Sequence, residues 1–212
     1  MWRSVNATLY RLHGIFFGSN RLSTINRGVI VKGALHQIQA RYDAAEDRIL
    51  LRIKTSDKAE LRFWLTRRYL SHLWPPLYTM MDATLSSQAL GASADSGVAS
   101  DPSSRAALRS FAHDAAVANA DFQSRYEEES HELPLGEQPV LLTRIGRKRL
   151  EDGTFLLSMH PPKGLGIDLK LSSHLLHGLV KLLSDAARKA EWNLDFGVEV
   201  EANTPPSSRL LN

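Results

Sequence analysis

Between residues 36 and 65 the chain alternates apolar and polar positions with period two, the signature of half-buried strands. Ile38, Ala40 and Tyr42 share one face, with Gln37, Gln39 and Arg41 on the other. After the turn Asp43–Asp47, a second run over Arg48–Thr55 points Ile49, Leu51 and Ile53 inward. Arg48, Leu50, Arg52 and Lys54 then point outward. A third run over Ala59–Leu65 places Leu61, Phe63 and Leu65 inside and Glu60, Arg62 and Trp64 outside. Connections this short predict an antiparallel meander.

The period then changes to that of a helix. Thr66 is a candidate N-cap, and Tyr69, Leu70, Leu73 and Leu77 fall at helical spacing. Pro75 removes a backbone donor and crowds the preceding turn. A kink or break is therefore expected at Trp74-Pro75-Pro76, the apolar pattern resuming through Met80, Met81 and Leu85.

Thr154–Lys189 repeats this grammar 106 positions after Arg48–Ala83. Phe155, Leu157 and Met159 face inward from one strand, and Ile167, Leu169 and Leu171 from the next. A helix follows from Ser173 to Trp192. The two 36-residue stretches share six identities, all Leu, including Leu51/Leu157 and Leu73/Leu179. The expected fold class is α+β: two antiparallel three-stranded meanders, each followed by a helix, in a β-β-β-α internal duplication.

Unit one spans 34–85 and unit two 139–192, together forming one pseudo-duplicated domain over 34–196. Residues 86–104 read as a linker, too poor in apolar groups to offset their ordering entropy. An Ala-rich helix is expected over 103–126, opened by Asp101-Pro102. Its one narrow apolar face would hold Ala107, Leu108, Phe111, Ala115, Ala118 and Phe122. Glu127–Pro139 is an acidic crossing, and one strand is expected from Val140 to Leu150. Residues 197–212 read as a frayed tail.

Composition changes this picture in one place. The chain has 212 residues, 26 basic and 23 acidic, but residues 1–33 contain five basic residues and no acid. The remainder holds 21 basic against 23 acidic residues, so the basic character belongs to the leader, not to the folded part. The leader has no periodic apolar face. It reads as a disordered or artefactual basic segment, a basic arm, or an Arg-rich transit peptide. The expected location is the cytoplasm, or an organelle matrix in the transit-peptide case. There is no Cys, which excludes disulfides, thiolate metal sites and a Cys nucleophile. No apolar run reaches membrane-spanning length, so no membrane role is expected.

Candidate chemistry is sparse. His174 and His177 have the i,i+3 spacing of a helical metal pair, but no third ligand accompanies them. Lys163-Gly164-Leu165-Gly166 joins two strands, whereas a phosphate cradle opens a helix. Asp43, Glu46 and Asp47 lack the spacing of a calcium loop, and no Ser stands in a nucleophile elbow. No catalytic residue, metal ligand or cofactor is assigned, and an enzyme remains only as a reading with no site visible in the sequence.

The outer face of the first meander stands apart. It would present Arg41, Arg48, Arg52, Lys54, Arg62 and Trp64, with Glu60 its single acid. Arg and Trp favour protein interfaces. Arg interleaved with aromatics on a sheet also suits single-stranded nucleic acid. The expected function is non-enzymatic binding or assembly through this face, with an unidentified protein or a second copy of the chain. A single-stranded nucleic-acid binder is the alternative.

Overall fold

The computed structural model describes residues 8–11, 34–89, 102–118, 120–122, 124–129 and 132–194. The chain is α+β. A five-stranded sheet has the order β1-β2-β3-β4-β5, formed by Thr8–Arg11, Leu35–Asp43, Arg48–Thr55, Glu60–Leu65 and Val140–Leu141. A three-stranded sheet, β6-β7-β8, is formed by Arg144–Arg149, Phe155–His160 and Ile167–Leu171. Helices α1 (Arg67–Ala89), α2 (Pro102–Ala118) and α3 (Ser173–Lys189) complete the fold.

Both meanders form at the positions the alternation marks, and their pairing coincides. Ile49↔Leu65, Leu51↔Phe63 and Ile53↔Leu61 in the first recur as Phe155↔Leu171, Leu157↔Leu169 and Met159↔Ile167, each 106 positions on. The first hairpins differ by one residue: Ile38↔Ile53 has its counterpart in Ile145↔Met159. The inward residues of both sheets merge with the apolar faces of α1 and α3 in one core, where Ile49, Leu51, Phe63, Leu157 and Leu169 are fully buried. The helices cross over between units. Helix α3 packs against β1 and β2, while Tyr69 of α1 donates to the Arg144 carbonyl of β6 at 3.3 Å. A second tie joins the first hairpin to the end of α3. Trp192 Nε1 donates to Asp47 (2.9 Å), Tyr42 donates to the same carboxylate oxygen (3.0 Å), and the two rings meet edge to face.

The Thr66 cap forms as read, Tyr69 N–H bonding Thr66 Oγ1, and Ser172 caps α3, its Oγ accepting from Leu175 N–H. Four expectations are corrected. Of the kink or break expected at Trp74-Pro75-Pro76, the break does not occur: α1 runs as one helix through both prolines to Ala89. The strand expected over 140–150 is two strands, because the chain leaves one sheet at Leu142-Thr143 and enters the other. There Leu142 N–H still bonds Trp64 and Thr143 N–H already bonds His160. Within the leader, Thr8–Arg11 is an antiparallel edge strand on β2, with Leu9 opposite Gln39; the rest of the leader lies outside the described residues, as does the tail 195–212.

The fourth correction concerns α2, which ends at Ala118 and turns the opposite way from the expected one. Its buried face carries His113 and Ala116, while Leu108 (47%) and Phe111 (74%) are exposed. Ala107, Ala115 and Ala118 lie on that outward stripe. The helix is held by polar contacts instead: Arg109 pairs with Asp82 at 2.8 Å, and His113 meets His177.

Candidate functional site: the outer face of the first sheet

Strand register arranges the outer face in rows. Gln37, Lys54 and Glu60 form one, and Gln39, Arg52 and Arg62 the next. The third row is Arg41, Leu50, Trp64 and Leu141 across four strands.

The first row and the Gln39–Arg52 part of the second are closed by the chain itself, while Arg62 at the end of the second row stays half-buried. After α2 the backbone turns at Asp121, whose carboxylate accepts from Ser124 N–H (3.0 Å). It then crosses the sheet as a strap, Tyr126–Glu129. Tyr126 lies on the basic side chains, its ring 4.1 Å from the Arg52 guanidinium carbon and 5.0 Å from Lys54 Nζ. Glu128 takes a bidentate pair of bonds from Arg52 at 3.2 and 2.9 Å. Lys54 donates to the carbonyls of Glu127 and Glu129, the latter at 2.6 Å. Gln37 accepts from Glu127 N–H at 3.1 Å, and Glu60 N–H bonds the Glu132 carbonyl.

Arg52 and Lys54, expected on an exposed surface, are thus buried, at 9% and 0% exposure. Gln37, Gln39 and Glu60 are buried with them. Alternation had placed these side chains on the correct side of the sheet; it carries no information about what covers that side.

Glu60 is the hub beneath the strap. Its carboxylate accepts from Arg52 Nε (2.8 Å) and Nη2 (3.2 Å) and from Arg62 Nε (2.7 Å). Burial pushes its pKa up, but the two guanidinium groups outweigh this and hold it below the ordinary carboxylate value. Burial likewise opposes the charge on Arg52, and the bonds to Glu60 and Glu128 overcome it. Lys54 has only carbonyl acceptors, so burial prevails and its pKa falls. Burial holds the Tyr126 hydroxyl above the ordinary phenol range. A buried cation is costly unless paired and hydrogen-bonded, and the strap meets that requirement with its own acids and carbonyls.

The third row stays open. Trp64 is half-buried, Leu141 is 38% exposed, and Leu50 lies buried between Trp64 and Arg41. Arg41 is exposed, while Arg48 and Arg62 are half-buried. Their acidic contacts are local: Asp43 at 4.0 Å for Arg41, Glu46 at 3.4 Å for Arg48 and Glu60 for Arg62. Of the six residues expected on one surface, four remain together around an apolar centre: Arg41, Arg48, Arg62 and Trp64. Leu141 joins them from β5, a residue that meander alternation could not have placed there.

The remaining candidates fall elsewhere. His174 is exposed, and His177 is buried, facing His113 of α2 rather than His174, with Nδ1 to Nδ1 at 3.3 Å. One imidazole donates and the other accepts. Burial, reinforced by His113 and His174, lowers the His177 pKa to about 4. His113 is lowered too, by burial first. Among the described residues no three His, Asp or Glu side chains gather as a metal site, and no helix is long and apolar enough to cross a membrane. No protein family, curated protein or solved structure matches the chain.

Proposed function

We propose that this protein is a non-enzymatic binding or assembly protein that engages an acidic protein partner through the open row of the first sheet. The reading is carried by one observation: Trp64 and Leu141 form an apolar centre rimmed by Arg41, Arg48 and Arg62. Interface hot spots favour this composition, an aromatic anchor surrounded by arginines. The buried ionisable groups lend support, because Arg52, Lys54 and Glu60 are spent on one another and on the strap, and His113 on His177. The strap also weighs against nucleic acid. It occupies two of the five cations, Arg52 and Lys54, that a phosphate backbone would have met. We read the two units as an internal duplication, supported by their common register and crossed helices.

The test is affinity capture with the tagged full chain, its Trp64→Ala/Arg41→Glu variant, and Arg41→Glu/Arg48→Glu as a charge-only variant. Expected is an acidic protein that is recovered by the native chain, survives nuclease treatment, and is lost from both variants while their melting curves remain cooperative. Recovery by folded variants, or loss on nuclease treatment, overturns the reading.

A further inference from the structure

A second surface follows from comparing equivalent strands. Strand β2 has neighbours on both edges, β3 and β1. Its counterpart β6 is paired with β7 alone among the described residues. Where Thr8–Arg11 lies along Gln37–Ala40 of β2, the equivalent stretch of β6, 107 positions on, is Arg144–Arg147. An unpaired edge offers the outward N–H and C=O groups of alternate residues to another strand.

The side chains on this edge select its occupant. Arg147, Lys148 and Arg149 are all exposed, and residues 140–150 contain no acid. Arg144 is engaged by the Pro161 and Pro162 carbonyls, and Arg149 lies over Phe155. Arg147 and Lys148 have no acidic partner among the described residues. Arg147 and Arg149 stand opposite Leu157 and Phe155, on the core-facing side of the sheet, where β2 carries Ala40 and Tyr42. Inward charges on an edge strand oppose pairing with an identical edge, because like charges would face each other across the new ladder. A second copy of β6 is therefore rejected, and an acidic strand is favoured by those same charges.

We propose that the free edge of β6 takes up an extended acidic peptide of a partner protein as an added antiparallel strand, in the position that β1 occupies on β2. The backbone ladder supplies the binding, and acids opposite Arg147 and Lys148 supply the selectivity. This site is separate from the Trp64 row, and neither depends on the other.

The probe is a synthetic ten-residue peptide in which Val pairs alternate with Glu pairs, so that the added strand carries acids on both faces, titrated into the isotope-labelled full chain. Three comparison ligands are used: the same peptide with Lys for Glu, one N-methylated at alternate residues, and a single-stranded oligonucleotide of equal charge. Saturable binding is expected, with chemical-shift changes and slowed amide exchange centred on Arg144–Arg149. The Lys peptide and the N-methylated peptide should each bind at least about tenfold more weakly, since two cross-strand ion pairs or a broken ladder are each on that scale. Arg147→Glu/Lys148→Glu should remove acid-peptide binding without moving the shifts of the core.

No saturable binding overturns the proposal. So do perturbations centred away from β6, equal affinity for the N-methylated peptide, which indicates charge attraction without a ladder, and tighter binding of the oligonucleotide. The N-methyl comparison uses the unaltered protein, so the proposal stays exposed to refutation even where the double variant does not fold.

Discussion

Replacing Glu60 by Gln removes one negative charge from beneath the strap and changes almost nothing in volume. The Glu60 side chain is fully buried and ion-paired to both Arg52 and Arg62. Without it, Arg52 retains Glu128 and the side-chain amide oxygen of Gln39 (3.1 Å), while Arg62 loses its carboxylate partner. Breaking a buried pair by removing one member typically costs about 3–5 kcal/mol, because the orphaned charge stays desolvated. For a chain of this length that corresponds to a fall in Tm of about 6–20 °C. Glu128 touches the same guanidinium, but its side chain is 74% exposed. Glu128→Gln should therefore cost only about 0–1 kcal/mol. The assay is urea denaturation at pH 7 for both variants, followed by Glu60→Gln in an Arg52→Met background. There the penalty should shrink, since one of the two cations paired with Glu60 has gone. A Glu60→Gln loss below about 1 kcal/mol, or equal losses at Glu60 and Glu128, would refute the buried-hub reasoning.

Two further outcomes are expected. His177 has an ordinary value of 6.5 lowered to about 4 in the fold, so between those values the unfolded chain binds more protons and stability falls as pH falls. From pH 7 to pH 5 this group accounts for about 2 kcal/mol, which His113→Phe/His177→Leu should remove from the pH dependence of the urea midpoint; an unchanged slope contradicts the buried imidazole pair. Gly166→Ala should cost about 3 kcal/mol, because a Cβ there would meet the Met159 carbonyl oxygen and lie 2.6 Å from His160 Cα; a Tm within about 2 °C of the native chain would show that this connection yields easily.

The strands were legible because a period of two is forced on any sheet with one buried face. Ile38, Leu51, Phe63 and Leu157 are core residues for that reason. What covers the other face is set by a segment more than 60 residues downstream, which local periodicity does not see. Charge held the missing signal. Five basic residues were segregated on one face, and Glu127, Glu128 and Glu129 stood in a crossing long enough to reach them. For half of the face the cover is acidic and aromatic and comes from the same chain, Tyr126–Glu129. Helix α2 was misread for a different reason. In an Ala-rich helix, Leu108 and Phe111 dominate the apolar stripe. The buried side is nevertheless chosen by Arg109 and His113, whose partners lie on α1 and α3 and are invisible to a hydrophobic count. Pro75 and Pro76 mark a disturbance that the surrounding packing of Leu73, Leu77 and Met80 carries through as one helix.

Hydroxyl-radical footprinting of the free full chain tests the division of the outer face most directly, with Trp74 as the buried standard and Phe111 as the exposed one. The account predicts that Tyr126 is as protected as Trp74, and that Trp64 and Leu141 are oxidised at rates between Trp74 and Phe111. Oxidation of Tyr126 at the Phe111 rate would mean that the strap does not close over Arg52 and Lys54. Protection of Trp64 and Leu141 to the Trp74 level would mean that the open row does not exist. Either result contradicts the account.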